Sequence, residues 1–297
     1  MAMTDGRTQL VGLIGWPIEH SLSPTMHNAA FQSLGLNWKY VPLPVAPRYV
    51  AFAVRGLSAL GFRGANVTIP HKLAVVEQVD TLSAPAKALG AVNTLVIERD
   101  EDGVARVHGD NTDVAGFLAT LHDVGLQPAE ISTAVIAGAG GAARAAAYAL
   151  AESGATQIVI LNRTAQRGRA IALDMRKQHP DRNLRAGALT SETLLDACRE
   201  ATILINATSV GMWPHDQTSI WPDDIPVPAH LVVMDMVYAP LETRLLRQAR
   251  KAGAKTIGGL GMLVLQGALA FSQWTGFASI YEIVPVMRAA CHKKLAV

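Results

Sequence analysis

The chain has 297 residues, half of them hydrophobic and 17% charged, with a mean hydropathy of +0.23. This composition excludes a disordered, collagenous or coiled-coil chain, and the length favours two ordinary domains over one large one. Lys and Arg total 26 against 24 for Asp and Glu, a net charge of +2, and these charges are scattered. Because a nucleic-acid binder needs a basic surface, we expect no nucleic-acid partner and favour a small-molecule substrate.

The two cysteines, Cys198 and Cys291, are far apart and each lies in a helical pattern. This arrangement argues against a disulfide framework and a metal knuckle, and it fits a reducing compartment. The first residues lack the pattern of a signal peptide, and no apolar run of about 18 residues follows them. We therefore expect a cytoplasmic protein with no membrane association.

Short apolar runs alternate with helix-period stretches along most of the chain, a pattern typical of parallel α/β sheets. In the first block, helices are predicted to begin near Pro24 and Pro47, where the missing N–H of proline costs nothing. The predicted strands of this block are Gln9–Trp16, Trp38–Val45, Gly64–Ile69, Val92–Ile97 and Val104–His108.

A second block follows a predicted helix over Val114–Val124, which Gly125 caps. Residues 132–164 are predicted to form a strand, a glycine-rich turn, an alanine-rich helix and a second strand, which together make one βαβ unit. Further strands are predicted over Thr202–Asn206, Leu231–Val237 and Lys255–Ile257. These strands extend the unit into a doubly wound, Rossmann-like parallel sheet.

Two closing helices, Met262–Trp274 and Tyr281–Lys293, are predicted after a cluster of glycines at residues 258, 259 and 261. Their apolar faces need cover, and the simplest architecture that supplies it is discontinuous. The predicted fold is α/β: an N-terminal α/β domain over residues 1–113, completed by residues 262–297, and a Rossmann-like nucleotide-binding domain over residues 114–261.

The glycine-rich turn between the predicted strand and helix of the βαβ unit comprises Gly138, Ala139, Gly140, Gly141 and Ala142. With the next alanine it matches G-x-G-x-x-G/A, in which backbone N–H groups and the helix dipole bind a pyrophosphate. A simpler interpretation is that the glycines only allow the strand to pack closely on the helix.

The end of the second strand of the unit indicates which dinucleotide binds. An NAD site usually carries an acidic residue there, whereas this chain has Asn162, Arg163 and Thr164, with Arg167 one helical turn later. A guanidinium forms charge-assisted hydrogen bonds with a 2′-phosphate, which a carboxylate would repel. The sequence therefore favours NADP over NAD, unless the arginines only form a solvated helix start.

Two serines precede the first predicted helix. Ser21 and Ser23 place hydroxyl groups beside helix N–H groups that favour an anion such as a carboxylate. An equally plain interpretation is that Ser23 is the N-cap of the helix.

A second cluster of candidate polar residues lies at the end of the third predicted strand. Asn66 and Thr68 share a strand face, and Lys72 follows just beyond it. A desolvated lysine can exchange a proton with an alcohol/ketone pair, although a lone loop lysine is usually solvated.

Small and amide residues form two further runs, residues 90–94 and 109–113, which include Asn93 and Asp113. Asp113 could orient a lysine amine, and it could also cap the following helix. The first block contains four histidines, His20, His27, His71 and His108. Their spacing is not that of metal ligands, so we expect no metal ion.

The motifs GWPIEHSLSPTMHN, NVTIPHK, GAVNT, GDNTD, GAGGAARA, NRT, NATSVGM and GGLGMLVLQGA occur in the order found in shikimate dehydrogenases. The chain resembles this family over essentially its whole length. The resemblance implies a two-domain enzyme that reduces 3-dehydroshikimate to shikimate with NADPH in aromatic amino-acid biosynthesis.

The resemblance also implies roles for particular residues. Lys72 and Asp113 would be the catalytic pair. The substrate carboxylate would bind Ser21, Ser23 and Tyr238, and the ring hydroxyls Thr68, Asn93, Asp113 and Gln266. NADP would contact Gly138, Ala139, Gly140, Gly141 and Ala142 with its phosphates, Asn162, Arg163, Thr164 and Arg167 with its 2′-phosphate, and Met236, Gly259 and Thr208 elsewhere.

One position departs from the family pattern, since some members carry an acidic residue where this chain has Ala84. That difference weakens the transfer of one contact near the nicotinamide. A related branch oxidises quinate with NAD, and the arginines argue against it without excluding dual use. A non-catalytic NADP or shikimate sensor is a further alternative, and the assembly could be a monomer or a homodimer.

Overall fold

The structure is a computed structural model that describes residues 4–296. The chain divides into two compact units, one formed by the residues up to Gly116 and from Val264 onward, the other by Phe117–Leu263. Both boundaries fall inside helices. Within the described residues, no helix is long and apolar enough to cross a membrane.

The first unit is built on a six-stranded sheet in the order β2-β1-β3-β5-β6-β4. Its elements up to the boundary helix are β1 (Gln9–Gly15), α1 (Ser23–Ser33), β2 (Trp38–Pro44), α2 (Val50–Ala59), β3 (Gly64–Val67), β4 (Thr81–Leu82), α3 (Ala84–Leu89), β5 (Thr94–Arg99) and β6 (Ala105–Asp110). Short 3₁₀ turns precede α2 and β4. The first five predicted strands are all present, while β4 and α3 are elements that the sequence pattern did not predict.

The sheet of the first unit is mixed, so the prediction of a parallel sheet is wrong there for the direction of β5. β1 pairs parallel with β2 and β3, but β5 runs antiparallel to both β3 and β6. The connection between β5 and β6 explains the difference, because residues 100–104 are too few for a crossover and can only form a hairpin. Gly103 in this loop has φ +77°, a conformation that favours glycine.

The second unit contains one fully parallel sheet in the order β12-β11-β10-β7-β8-β9. Its elements are α4 (Thr112–Asp123, which crosses the boundary), β7 (Thr133–Ala137), α5 (Gly141–Glu152), β8 (Gln157–Asn162), α6 (Ala165–Gln178), β9 (Asn183–Ala188), α7 (Ser191–Cys198), β10 (Ile203–Asn206), β11 (Val232–Asp235), α8 (Arg244–Lys251) and β12 (Lys255–Gly258). Strand order reverses between β7 and β10, where open α/β sheets bind their ligands. The predicted doubly wound fold is confirmed.

The closing helices are α9 (Leu260–Thr275) and α10 (Ile280–Leu295), and from Val264 onward they belong to the first unit. α10 packs along α1. In α9, Trp274 Nε1 donates a 2.9 Å hydrogen bond to the carbonyl of Leu95. Gly64 makes room for this indole, because a Cβ there would lie 2.3 Å from Trp274 Nε1. The apolar faces of the two closing helices are therefore covered by packing on the first unit.

Candidate active site

The first unit contains a partly buried ion pair between Lys72 and Asp113. Lys72 lies in the loop after β3, Asp113 lies in the first turn of α4, and Nζ is 2.5 Å from Oδ2. The side chains are 20% and 9% exposed. The sequence left open whether Asp113 caps α4. It does not: the side chain at the start of this helix that accepts a backbone hydrogen bond is Asn111, whose Oδ1 accepts the Asp113 N–H at 3.2 Å. The Asp113 carboxylate is therefore available to the lysine.

Asn93, just before β5, holds the second oxygen of this carboxylate. Its Nδ2 donates to Asp113 Oδ1 at 2.8 Å, and its Oδ1 accepts the Thr112 N–H at 2.8 Å. A backbone N–H can only donate, so the Asn93 amide group must present its NH₂ to Asp113. Three separate segments thus converge on one carboxylate, which orients the Lys72 amine.

The loop that carries Lys72 is anchored at both sides. His71 is 1% exposed, and its Nε2 donates to the carbonyl of Val45 at 2.6 Å. The Lys72 carbonyl accepts the Val92 N–H at 2.8 Å. These bonds give His71 a structural role, and its place beside Lys72 was the only sign of that role in the sequence.

Asn66, in β3, supports the Asn93 side chain through Thr94. Its Nδ2 donates to Thr94 Oγ1 at 3.2 Å, and Thr94 Oγ1 donates to Asn93 Oδ1 at 2.9 Å. Tyr40 donates its hydroxyl to Asn66 Oδ1 at 2.9 Å. His27 stacks on the Tyr40 ring at 4.4 Å, and burial lowers the pKa of His27 to about 3. It is a neutral residue of the core.

Ser23 begins α1 without capping it, so the N-cap interpretation is wrong. Its N–H instead donates to Ser21 Oγ at 3.2 Å. Burial raises the pKa of Tyr40, and a hydrogen bond with Ser23 opposes that rise. Ser23 therefore lies beside Tyr40, whose hydroxyl donates to Asn66.

Thr68 and Gln266 are half-buried residues of the same unit. Gly15 faces Thr68 closely, since a Cβ there would lie 2.3 Å from Thr68 Cγ2. Gly116 allows α9 to approach α4, since its Cβ would lie 2.7 Å from that of Gln266. Each of the two side chains therefore occupies room that a glycine on a neighbouring element leaves free.

In the second unit, the glycine-rich turn joins β7 to α5. Gly138 has φ +117°, and a Cβ there would lie 2.7 Å from the Ala207 carbonyl oxygen. Gly140 is the N-cap of α5 with φ −92°, and apart from its chain neighbours no described residue has an atom within 4 Å of the place its Cβ would take. Close packing of strand and helix therefore explains why residue 138 is a glycine. It does not explain why residue 140 is one.

Arg163 and Arg167 follow β8 and are exposed. No carboxylate within residues 4–296 forms an ion pair with either guanidinium, whereas Arg144 pairs with Asp174 at 3.0 Å. Asn162 Nδ2 donates to the Thr164 carbonyl at 2.9 Å and closes the turn that carries Arg163. This corner can accept an anionic group.

The ends of β10 and β11 carry the remaining predicted cofactor residues. Thr208 Oγ1 donates to Asn206 Oδ1 at 2.7 Å. Gly259 approaches Met236 so closely that a Cβ would lie 2.3 Å from the Met236 carbonyl oxygen. Tyr238 follows two residues after Met236 and is half-buried.

Asp235 at the end of β11 is a buried residue that the sequence reasoning missed. Burial raises its pKa, and hydrogen bonds from Thr243, Val237 and Asn206 oppose that rise. The signal that could have revealed it is an acidic residue at the carboxyl end of a predicted core strand.

The second unit has the features of a dinucleotide-binding α/β protein. It is an open parallel sheet with a glycine-rich turn at its switch point, and two exposed arginines follow the next strand. The lysine–aspartate pair of the other unit adds a group suited to proton transfer, which makes the class a nicotinamide-dependent oxidoreductase. The chain belongs to the shikimate dehydrogenase family. Family models match it as a shikimate dehydrogenase substrate binding domain (residues 13–95), a shikimate / quinate 5-dehydrogenase (residues 124–230) and a shikimate 5′-dehydrogenase C-terminal domain (residues 259–278).

Individual relatives agree with this assignment, and the resemblance seen in the sequence is confirmed. The chain is 45% identical to the shikimate dehydrogenase (NADP⁺) of Methanopyrus kandleri over 94% of both chains. Shikimate 5-dehydrogenase from Thermus thermophilus, solved with NADP(H) and shikimate, matches with a TM-score of 0.81 and 37% identity over 95% of this chain and 99% of that one. Quinate dehydrogenase from Corynebacterium glutamicum, solved with NAD, matches with a TM-score of 0.84 and 31% identity over 96% and 99%.

Proposed function

We propose that this protein catalyses the reversible NADPH-dependent reduction of 3-dehydroshikimate to shikimate, a step of chorismate and aromatic amino-acid biosynthesis. Membership of the shikimate dehydrogenase family and relatives named as NADP⁺ enzymes support this activity. The observation that carries it is the 2.5 Å pair of Lys72 and Asp113, held by Asn93. A sensor without chemistry would have no use for a lysine so oriented.

When bound, NADPH supplies the hydride that reduces the substrate ketone. The chain's part is to provide a proton to the oxygen that becomes the alcohol, and Lys72 Nζ is the donor. Asp113 orients Nζ through its Oδ2, and Asn93 fixes Asp113 through its Oδ1. In the direction of shikimate oxidation the amine accepts the same proton.

Substrate recognition is proposed for the polar side chains that the family resemblance implied. Ser21, Ser23 and Tyr238 bind the carboxylate; Thr68, Asn93, Asp113 and Gln266 bind the ring hydroxyls. A hydroxyl-rich substrate needs such matched partners because each buried, unmatched polar group costs about 1 to 3 kcal/mol. Lys72 contacts the oxygen that it protonates.

The second unit fits NADP on its own residues. Gly140 leaves open space at the free N–H groups of α5, where a pyrophosphate is favoured. The guanidinium groups of Arg163 and Arg167, which pair with no carboxylate of the described residues, suit a 2′-phosphate. Further contacts are proposed for Gly138, Ala139, Gly141, Ala142, Asn162, Thr164, Thr208, Met236 and Gly259.

The two glycines of the turn allow the cofactor role to be separated from packing. Gly140→Ala should leave the melting temperature almost unchanged, because its φ suits alanine and the added methyl meets open space. It should nevertheless weaken NADPH binding by about tenfold or more, because the methyl blocks a pyrophosphate that must approach the backbone. Fluorescence titration with NADPH measures the affinity.

Gly138→Ala is the matched control for this experiment. It should lower the free energy of unfolding by about 1–3 kcal/mol, because its Cβ would clash with the Ala207 carbonyl and its φ is positive. Unchanged NADPH affinity in a folded Gly140→Ala protein would support the packing interpretation of the whole turn.

The decisive assay for the function crosses shikimate and quinate with NADP⁺ and NAD⁺ under identical conditions, following the absorbance of the reduced nicotinamide. We expect strong turnover only with shikimate and NADP⁺. Comparable rates with quinate or NAD⁺ would place the protein in the dual-specificity branch, an alternative that the match to a quinate dehydrogenase keeps open. Absence of turnover with every pair would favour the sensor.

A cytoplasmic location and a monomeric or homodimeric state are also part of the proposal. Cys198 and Cys291 are both free and buried, as suits a reducing compartment. Burial raises the pKa of Cys198 to about 12 and that of Cys291 to about 11, so neither thiol is activated.

A further inference from the structure

Asp235 is a fully buried carboxylate at the end of β11. It is 0% exposed, and no cation within residues 4–296 forms an ion pair with it. Its Oδ1 accepts hydrogen bonds from Asn206 Nδ2 at 2.9 Å and the Val237 N–H at 3.0 Å, and its Oδ2 accepts one from Thr243 Oγ1 at 2.6 Å. Removing a carboxylate from water is costly, so these bonds must offset that cost.

The hydrogen bond from Asn206 to Asp235 bears on the orientation of Thr208, in the loop after β10. A carboxylate that only accepts forces the Asn206 NH₂ toward Asp235 and turns Asn206 Oδ1 toward Thr208. That oxygen accepts from the Thr208 N–H at 3.1 Å and from Thr208 Oγ1 at 2.7 Å. Asn206 Nδ2 also donates to the Val210 carbonyl at 3.1 Å. Asp235 is therefore one of the partners that hold the Asn206 amide, and with it Thr208, in this orientation.

The other two bonds hold the segment after β11. The Val237 N–H lies between Met236 and Tyr238, so its bond to Asp235 sets the course of the backbone that carries both. Thr243 is the N-cap of α8, and its Oγ1 also accepts the Leu246 N–H at 3.3 Å. One carboxylate therefore ties together the carboxyl ends of two strands and the start of a helix.

We propose that Asp235 is a positioning residue for NADPH, which holds Thr208 and residues 236–238 in the arrangement that the nicotinamide half of the cofactor requires. The inference rests on the proposed function and adds a residue that neither touches the cofactor nor exchanges a proton. Both oxygens are occupied by protein donors, so Asp235 acts through the groups it binds.

Substitutions at residue 235 test whether hydrogen-bond geometry is what matters. Asp235→Asn can keep Oδ1 as the acceptor for Asn206 and Val237 while its NH₂ donates to Thr243 Oγ1, whereas Asp235→Leu removes all three bonds. We expect the leucine variant to weaken NADPH affinity by about tenfold or more, the equivalent of roughly one hydrogen bond to a charged group. The asparagine variant should stay within about threefold of wild type.

The measurement is NADPH fluorescence titration of the full chain, with shikimate affinity measured by calorimetry on the same samples. A positioning role lowers NADPH affinity more than shikimate affinity, because Tyr238 is the one proposed substrate contact in the segment that Asp235 holds, whereas a general loss of structure lowers both equally. Melting curves record the stability of each variant.

A second pair of variants keeps the test valid if Asp235→Leu fails to fold. Thr243→Val and Thr190→Val each remove a helix N-cap hydroxyl in the same unit, but only Thr243 binds Asp235. We expect a loss of NADPH affinity in the Thr243 variant alone, restored by Thr243→Ser, and a larger drop in melting temperature in that variant because Thr243 is buried against Asp235.

Three results would overturn the inference. A folded Asp235→Leu protein with wild-type NADPH affinity would do so, as would equal losses in the asparagine and leucine variants or in the two valine variants. Wild-type protein that does not bind NADPH would overturn the proposed function itself, which distinguishes the two failures.

Discussion

Lys72→Ala is expected to lower kcat for shikimate oxidation by about 10²- to 10⁴-fold while KM changes by only a few-fold, since proton transfer by a positioned group contributes roughly this much. The Lys72 amine lies 2.5 Å from Asp113, and the Lys72 side chain is only 20% exposed, so water cannot readily replace it. Steady-state kinetics with saturating NADP⁺ measures the effect.

Lys87→Ala is the control for this variant, because Lys87 is an exposed lysine of α3 in the same unit. It should keep kcat within about twofold, as surface substitutions usually have small effects. A Lys72→Ala enzyme that retained nearly full kcat would exclude the lysine as the proton donor. An equal loss from Lys87→Ala would trace the defect to charge in general.

Replacing Arg163 and Arg167 together by alanine should lower kcat/KM for NADP⁺ by about 100-fold and leave the value for NAD⁺ within about threefold. Each charge-assisted bond to a phosphate contributes up to about 1.5–3 kcal/mol, and exposure of both side chains reduces this to roughly tenfold per arginine. The ratio of the two kcat/KM values isolates recognition of the 2′-phosphate from every contact that the cofactors share.

Arg169→Ala provides the matched comparison, because Arg169 is an exposed arginine on α6, the helix that carries Arg167. It should change neither cofactor's kcat/KM by more than about twofold. If the double variant retained the wild-type preference for NADP⁺, the two arginines would be only a solvated helix start.

Several elements could be predicted because their signals are local. The βαβ unit around Gly138 combines a core strand, a glycine turn and an alanine-rich helix, and each depends on residues close in sequence. β9 was missed because it is an edge strand with few buried side chains, which leaves no apolar run to detect. The antiparallel placement of β5 was missed because apolar runs do not reveal strand direction.

The site shows the same division. Lys72, Asp113 and Asn93 were candidates by residue type and by family resemblance, but their contact joins residues 20 to 41 positions apart. Asn111 as the helix cap, Asn66 as a support for Asn93, and Asp235 as a buried acceptor were not predicted, because each role depends on which donor lies opposite the side chain after folding.

Residue type and short spacing are enough to predict the α/β class, the glycine turn, the lack of an acidic residue directly after β8, and the family. The contact of Asp113 with Lys72 in place of a cap on α4, and the three donors that Asp235 binds in the core, became visible only in the folded chain. Hydrogen bonds between distant segments form only when packing brings their atoms within about 3 Å, and that distance has no counterpart in the linear order of residues.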